Sequence, residues 1–322
     1  IPSYGGPIIA ALAEASRPYF EAPPGGAASL LRPRDVLHIS RRPNPAPSAK
    51  ALPVSPAAIH TLSPMLKTQG LRSAWLETGT GELDAVGLHQ SLIATAMRHG
   101  AGLRLGVQAQ MLGHDGKIWR LRLEDEEHCC SALINATGAW ADETAAALGL
   151  PALGLTAYRR TVVLVDPPEP RPQVLAGPII KDLEDRFYFR PFGQDLLVCP
   201  CDETPSPPTD AQPETGDVAL AVARLKQATG YEPQQIKHRW AGLRSFAPDR
   251  LPVIGWDLRA PDLFWFAGLG GYGVQTAPAA GRLAADLFLG TETPATRGIG
   301  GHNPQQFSPM RLAERILRAT NV

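Results

Sequence analysis

The sequence of 322 residues predicts a mixed α/β fold divided into two lobes. Hydrophobic residues make up 44% of the chain, which is enough to build a large core. Helical and strand-like segments alternate along the chain, whereas the part near 151–240 has the pattern of mostly antiparallel strands. The 31 glycines and 32 prolines are spread without a period. They indicate many tight turns and exclude collagen and simple repeats.

In the first half of the chain, periodicity and turn residues define the expected elements. A helix is predicted over 7–20, where Pro7 suits the first turn, and another over 84–99, where Asp84 suits the N-cap. The proline-rich segment 41–58 is expected to be irregular and to lie at the surface. Three strands are predicted at 101–107, 117–123 and 131–135, with a turn at His114-Asp115-Gly116 joining the first two as a hairpin.

The second half begins with a short helix and then changes to strands separated by proline and glycine. Helices are predicted over 141–148, 217–229 and 277–289. Strands are predicted over 158–166, 186–190, 195–199, 236–244 and 263–268. A loop with four glycines in six positions, 268–273, connects the last strand to the last helix.

Charge and hydropathy exclude two classes of partner. Lys plus Arg and Asp plus Glu both number 31, so the formal net charge is zero and no nucleic-acid-binding surface is predicted. No apolar run approaches the roughly 18 residues that a membrane span needs, although peripheral membrane contact stays open. The four cysteines, at 129, 130, 199 and 201, lack metal-ligand spacing with histidine. We therefore expect buried or half-buried thiols, no metal site and a cytoplasmic protein.

Three segments have the composition of ligand-binding turns, and each alone has a plain structural alternative. In 132–147 a buried strand runs through Thr137-Gly138 into a helix, which also fits an ordinary βα turn. In 240–255 Arg244 ends an alternating strand, where it can bind a carboxylate with two hydrogen bonds or simply pair with an acid. The glycines of 268–273 expose backbone amides before a helix N-terminus, which favours an anionic group or makes a tight corner.

Taken in this order and spacing, the three segments resemble the D-amino-acid oxidase-like family of FAD-dependent oxidoreductases. The D-amino-acid dehydrogenase branch is most similar, through Ser3-Tyr4-Gly5, Tyr158-Arg159-Arg160 and the run from Trp240 to Phe246. The resemblance implies FAD as cofactor. It also implies an incomplete Rossmann-like FAD-binding lobe, formed by 1–20, 80–150 and 240–322, and a substrate lobe with a mostly antiparallel sheet, formed by 21–79 and 151–239. Because that family opens with a glycine-rich βαβ unit, we expect roughly one such unit to precede Ile1.

The resemblance assigns roles residue by residue. Arg244 and Arg159 match arginine positions for the substrate carboxylate, and Tyr188 and Tyr4 match hydroxyl positions near the substrate. Arg160 is expected on the opposite side of its strand and is the less favoured arginine. The matching cofactor-binding positions are Val107, Thr137, Gly138, Trp140, Gly270, Gly271, Tyr272, Gly273, Val274 and Gln275.

The implied reaction is oxidation of an amino acid, with a D-amino acid favoured. The Cα hydrogen leaves as hydride to flavin N5, and the imino acid is hydrolysed to a 2-oxo acid and ammonia. Asp35 and Asp182 lie where loops would reach a substrate side chain, although a solvated acid is the ordinary interpretation of each. No catalytic base is evident. Two alternatives stay open: an oxidase of glycine- or sarcosine-type amines, and a non-catalytic carboxylate-binding protein. The sequence leaves the chirality, the electron acceptor and the oligomeric state open.

Overall fold

The computed structural model describes residue 1 and residues 3–312, so the predicted segment 240–322 extends beyond the described residues. The predicted mixed α/β fold class is confirmed. The chain divides into two compact units. Unit 1 contains residues 1, 32–82 and 158–243. Unit 2 contains the described residues within 2–31, 83–157 and 244–322.

The helices and strands alternate along the chain. The helices are α1 Pro7–Glu21, α2 Pro56–Leu62, α3 Ala85–Arg98, α4 Ala141–Ala147, α5 Arg171–Ala176, α6 Thr215–Thr229, α7 Gly273–Leu289 and α8 Pro294–Arg297, with 3₁₀ turns at Gly138–Trp140 and Pro304–Phe307. The strands are β1 Leu31–Pro33, β2 Val36–Ser40, β3 Ala51–Pro53, β4 Ser73–Glu77, β5 Gly81–Leu83, β6 Ala109–His114, β7 Trp119–Leu123, β8 Glu126–Cys130, β9 Leu133–Asn135, β10 Thr156–Val165, β11 Ile179–Asp182, β12 Tyr188–Phe192, β13 Asp195–Cys199, β14 Thr204–Pro205, β15 Ile236–Phe246, β16 Val253–Trp256 and β17 Leu263–Ala267.

Unit 1 is built on a nine-stranded sheet in the order β14-β10-β13-β12-β11-β2-β4-β3, with β15 also paired to β10. Strand β13 pairs antiparallel with β10 and with β12, and β12 pairs antiparallel with β11, whereas β11 and β2 run parallel. Successive side chains of a strand point to opposite faces. One face is therefore apolar and packs the core against α6, with Val163, Val198, Phe189, Ile180 and Leu37 all buried.

The opposite face of the same sheet is polar. Strand register places Cys199, Tyr188, Lys181 and His38 side by side in one row across four strands. Lys181 is 9% exposed and His38 only 2%, so these polar side chains are largely withdrawn from water. A buried polar face of this kind must satisfy its hydrogen bonds internally or with a ligand.

Unit 2 contains a three-stranded sheet, β16-β17-β9, and the antiparallel sheet β6-β7-β8. Strands β17 and β9 are parallel neighbours, with Trp265 opposite Asn135. The carboxyl ends of parallel strands meet at one edge of a sheet, which is where ligands bind in open α/β sheets. Both the glycine-rich loop after β17 and the Thr137-Gly138 turn after β9 lie at this edge.

Helices α1 and α7 pack together in unit 2 through residues that the sequence pattern places on one face. Ile9 and Leu12 of α1 and Leu283 of α7 are fully buried. The Ser16 hydroxyl accepts a hydrogen bond from the amide of Ala279 at 3.1 Å. Ala279 follows Pro278, which interrupts the regular hydrogen bonding of α7. The Ser16 hydroxyl therefore satisfies an amide at this interruption.

Several sequence predictions were wrong locally. The segment 101–107 is not a strand, and Leu103 and Leu105 are 47% and 81% exposed, so its alternation does not mark a buried face. The hairpin partner of β7 is instead β6. The segment 41–58 is not wholly irregular, because it contains β3 and the start of α2, whose N-cap Ser55 accepts a hydrogen bond from the amide of Ala58.

Other differences concern charged strands and helix starts. The acidic strand β8 was not predicted. Cys129 on this strand is exposed, whereas a buried or half-buried thiol was expected. Helix α7 begins at Gly273, four residues before the predicted start at 277, because the last glycine of the loop already adopts helical geometry. Among the described residues, no helix combines the length and the apolar character that a bilayer span requires.

Candidate functional site

The glycine-rich loop of unit 2 folds against two side chains that come from the end of β15. A Cβ atom at Gly271 would lie 1.6 Å from Nη2 of Arg244, and one at Gly270 would lie 2.3 Å from Cε1 of Phe246. Gly270 also has a φ of 55°, a left-handed conformation that side chains disfavour. Because neither glycine carries a Cβ, the guanidinium of Arg244 and the ring of Phe246 can pack directly against the backbone of the loop.

Arg244 is held in a cluster of polar and aromatic groups from unit 2. Its Nη2 donates to the hydroxyl of Tyr4 at 3.0 Å. Its guanidinium lies 5.3 Å from the centroid of the Phe246 ring. The ring of Tyr4 packs edge-on against Tyr272 with the centroids 5.2 Å apart, and the Gln275 amide donates to the Tyr4 carbonyl at 3.3 Å. The structure thus brings together four of the predicted site residues, Arg244, Tyr4, Tyr272 and Gln275, and gives the arginine a fixed orientation.

A cleft of about 870 Å³ collects a second group of predicted residues in unit 2. Val107, Thr137 and Trp140 all line it. Val107 does so from irregular backbone and not from the strand that the sequence predicted. The turn is shaped by buried Asn135, whose Oδ1 accepts from the Thr137 hydroxyl at 2.8 Å and whose Nδ2 donates to the Ala141 carbonyl at 2.9 Å.

These two features fit a dinucleotide cofactor such as FAD. Gly273, Val274 and Gln275 begin α7, a helix of 17 residues whose first amides have no partner within the helix. Such a helix start favours a negatively charged group. Gly138 has a φ of 62°, which allows the turn after β9 to follow a ligand closely. The residues that would hold FAD are therefore those of the glycine-rich loop, the start of α7 and the 870 Å³ cleft.

In unit 1, the adjacent arginines of β10 face opposite sides of the sheet. Arg159 is 8% exposed, and it donates to Asp217 at 2.9 Å and to Glu214, both on the α6 side. Burial opposes its charge, but the hydrogen bonds to Glu214 and Asp217 outweigh burial and raise the pKa of Arg159. An arginine paired in this way serves to hold α6 on the sheet.

Arg160 instead shares the polar face with Tyr188. It lies three residues from core-facing Val163, and it pairs with Glu203 at 3.0 Å. Alternation along the strand places it on the face that carries Cys199 and Tyr188. Arg160, and not Arg159, is therefore the arginine on the side of Tyr188, whereas the sequence analysis favoured Arg159 as the substrate arginine.

Tyr188 lies in an environment that keeps its phenol neutral. Burial raises the pKa of Tyr188 well above its ordinary value, and the neighbouring thiols of Cys199 and Cys201 add to the effect. A neutral phenol is a hydrogen-bond donor. For Cys199, burial disfavours the thiolate, but hydrogen bonding from Cys201 and the charge of Arg160 lower its pKa to about 7. This thiol environment could not be predicted from the sequence, since it depends on strand register.

The two acids considered for substrate side chains have structural partners or backbone roles. Asp182 is 1% exposed and accepts two hydrogen bonds from the Arg186 guanidinium, both at 2.9 Å. Asp35 accepts the amide of Ile179 at 2.9 Å through its backbone carbonyl. Asp182 therefore serves the loop before β12. Reasoning from sequence missed a different buried acid, Glu77, which contacts His38 on the polar face.

Comparison with known proteins places this geometry in a family. The sequence profile of the family described as FAD dependent oxidoreductase matches residues 4–287. Mitochondrial dimethylglycine dehydrogenase of Mus musculus is 24% identical over 260 residues, which cover 75% of this chain and 30% of that protein. D-amino acid dehydrogenase of Xanthobacter autotrophicus is 29% identical over 227 residues, which cover 69% of this chain and 51% of that protein. The chain thus spans about a third to a half of these relatives.

Among solved structures, L-proline dehydrogenase from P. horikoshii superposes with a TM-score of 0.79 at 16% identity, over 98% of this chain and 86% of the other. At this identity the likeness concerns the fold alone. The profile match is more informative, because it contains Tyr4, the Thr137-Gly138 turn, Arg244, the glycine-rich loop and most of α7. The chain therefore belongs to the family of FAD-dependent oxidoreductases, as its resemblance predicted.

Proposed function

We propose that the protein oxidises the Cα–N bond of an amino acid with FAD, and that a D-amino acid is the preferred substrate. Family membership and the similarity to a D-amino acid dehydrogenase support this assignment. The observation that carries it is the position of Arg244, whose guanidinium fills the space that glycine leaves at 271 and bonds the Tyr4 hydroxyl at 3.0 Å.

The role of Arg244 and Tyr4 is to bind and orient the substrate carboxylate. A guanidinium offers parallel N–H donors that match the two carboxylate oxygens. The bond to Tyr4 and the contact with Phe246 fix its plane before the substrate arrives. Preorganised donors of this kind reduce the entropy lost on binding and hold the Cα hydrogen in one orientation.

FAD, when bound, supplies the acceptor for the two electrons and the hydrogen of Cα. The glycine-rich loop and the first turn of α7 would hold it through backbone amides, and the cleft lined by Val107, Thr137 and Trp140 would take its nucleotide part. The imino acid product is then hydrolysed by water to the 2-oxo acid and ammonia. Arg160 and Tyr188 are additional candidates for substrate contact, since both are polar groups on the same face of the sheet in unit 1.

The proposal is tested by anaerobic mixing of the flavin-loaded protein with a panel of D- and L-amino acids. Loss of absorbance near about 450 nm reports reduction of the flavin. Arg244→Gln is expected to lower kcat/KM at least tenfold through lost carboxylate binding. Arg250→Gln is the matched control, because the Arg250 guanidinium also packs on the Phe246 ring, 4.0 Å from its centroid. An unreduced flavin with every amino acid, or equal effects of the two variants, contradicts the proposal.

A second candidate is oxidation of N-methylated or secondary amines. The 24% identity to dimethylglycine dehydrogenase over 75% of this chain favours it. Sarcosine, dimethylglycine, glycine and proline therefore belong in the same panel. Faster reduction by an N-methyl amine than by any primary amino acid would replace the first assignment by the second. A protein that retains carboxylate binding but takes up no flavin would support the non-catalytic alternative.

A further inference from the structure

Cys199 and Cys201 form a pair of free thiols at the end of β13 in unit 1. The backbone amide of Cys201 donates to Sγ of Cys199 at 3.4 Å, so the chain folds back after Pro200. Cys201 has a φ of 52°, a left-handed conformation that is uncommon for residues other than glycine. This turn places the second thiol next to the first, and the two side chains share a hydrogen bond.

The two sulfurs are within reach of a covalent bond. Residues separated by one position have Cα atoms at most about 7 Å apart. A disulfide needs a Cα separation of about 4.4–6.8 Å. Because the Cys201 amide bonds to Sγ of Cys199, the turn is closed and its Cα atoms lie nearer than in an extended chain. Oxidation can therefore join the sulfurs without separating β13 from β12.

The surroundings give the two thiols different roles. Burial disfavours the thiolate of Cys199, but the hydrogen bond from Cys201 and the charge of Arg160 lower its pKa to about 7. The hydrogen bond to Cys199, together with burial, raises the pKa of Cys201. The shared proton therefore stays on Cys201, and Cys199 carries the thiolate, which is the nucleophilic form. An attacking thiolate beside a resolving thiol is the arrangement of a redox-active pair.

Access to the pair selects the kind of oxidant. Cys199 has no exposed surface, whereas Cys201 is partly exposed. A bulky disulfide such as oxidised glutathione does not reach a sulfur buried in this way. Hydrogen peroxide is small and uncharged, so a local opening of the turn is enough to admit it. The more exposed thiol, Cys201, is protonated and is therefore slow to react with either oxidant.

A metal site explains the pair less well. A structural zinc ion takes four ligands. In the part of the chain that the structure describes, no group of three or more His, Cys, Asp or Glu side chains is placed to hold a metal ion. Two hydrogen-bonded thiols with no further ligands therefore favour oxidation.

We propose that Cys199 and Cys201 are a redox site at which hydrogen peroxide forms an intramolecular disulfide. The Cys199 thiolate attacks one peroxide oxygen and the O–O bond breaks, which yields a sulfenic acid on Cys199 and, with one proton, water. The Cys201 thiol then attacks the sulfenic sulfur, the S–S bond forms, and the hydroxyl leaves with the thiol proton as a second water. The two sulfurs lose two electrons, which reduce the peroxide. A thiol reductant reverses the bond by exchange.

The test is oxidation of the full chain by a modest excess of peroxide, followed by alkylation of the free thiols in denaturant and mass spectrometry of the peptides. We expect the free thiols to fall from four to two. The peptide that contains residues 199 and 201 is expected to be two hydrogens lighter until a thiol reductant is added. The same excess of oxidised glutathione is expected to leave all four thiols free.

Single substitutions assign the two steps. Cys201→Ser is expected to prevent the disulfide and to leave Cys199 as a sulfenic acid, which dimedone traps. Cys199→Ser is expected to leave Cys201 reduced under the same conditions. Cys130→Ser is the matched control, because it removes a thiol from the other pair and should keep the disulfide between Cys199 and Cys201.

The outcomes separate this inference from the proposed function, because thiol counts need no substrate. Retention of all four thiols after peroxide, equal oxidation by glutathione, or oxidation of Cys201 in Cys199→Ser at the wild-type rate would overturn the inference. If amino acids reduce the flavin and the thiols stay free, the proposed oxidation stands alone. If the disulfide forms and no amino acid reduces the flavin, only the proposed oxidation fails.

Discussion

Replacing Gly271 by alanine is the sharpest test of how the glycine-rich loop and the arginine are matched. The new Cβ would lie 1.6 Å from Nη2, 2.2 Å from Cζ and 2.3 Å from Nε of Arg244. All three atoms belong to the end of a long, flexible side chain, so the side chain can swing away at little cost to folding. The bond between Arg244 and the Tyr4 hydroxyl cannot survive that movement.

The magnitude follows from the bond that is lost. A hydrogen bond from a charged donor contributes about 1.5–3 kcal/mol, so losing the aligned guanidinium corresponds to a roughly 10- to 100-fold loss in kcat/KM. The melting temperature is expected to change little. Anaerobic flavin reduction measures the first quantity, and thermal unfolding of the same preparation measures the second.

Helix α7 supplies the matched control. Gly281 lies inside this helix, and a Cβ there would meet no heavy atom within 4 Å. Gly281→Ala is therefore expected to keep activity and to stabilise the helix by up to about 1 kcal/mol. If Gly271→Ala reduces the flavin as fast as Gly281→Ala, then Arg244 does not need its observed position and the argument for the carboxylate site fails.

Two further predictions follow from buried charges. Arg159→Met is expected to lower the free energy of unfolding by about 1–2 kcal/mol, because the half-buried carboxylate of Asp217 loses its partner. Arg160→Met should lower kcat/KM with little change in melting temperature. Thermal unfolding and flavin reduction measure the two effects. Burial opposes ionisation of Asp257, but the hydrogen bonds from Arg259 outweigh burial and lower the pKa of Asp257. Ionised Asp257 therefore stabilises the fold at pH values above its pKa in the unfolded chain. This stabilisation is lost as the pH falls through its pKa in the folded protein. Asp257→Asn should destabilise the protein at neutral pH and flatten the acid limb of the unfolding free energy against pH; an unchanged limb would contradict the assignment.

The sequence predicted the parts of the site that depend on local backbone chemistry. Four glycines between a buried strand and a helix require a loop that allows close approach, and the structure shows Arg244 and Phe246 in the space that they leave. The Thr137-Gly138 turn was likewise predicted as a connection between a strand and a helix, whereas its role at the cofactor came only from the family resemblance.

The polar face of unit 1 was beyond sequence reasoning. Strands β2 and β4 carry no clear alternation of apolar and polar residues, so their existence and their pairing of His38 with Trp75 were not predicted. The His38–Glu77 bond joins residues 39 positions apart through that register. A register of this kind is fixed by which side chains fill the core, and that information is spread over several strands.

The register of β10 determines which of its two arginines has a structural partner and which lies on the polar face of the sheet. The alternation of side chains along a strand places Arg159 and Arg160 on opposite faces of the sheet. It does not show which face packs against the core. Val163 and Val198 pack into the apolar cluster with α6, so every odd-numbered residue of β10, including Arg159, faces α6. There Arg159 finds Glu214 and Asp217, which allow a charge to be buried. The even-numbered residues lie on the face of the sheet that also carries Tyr188, Lys181 and His38. Exchanging the registers of β10 and its neighbours by one residue would place valines in that row and leave the acids of α6 without a cation, so the same packing that stabilises the sheet also determines which arginine is available to a substrate.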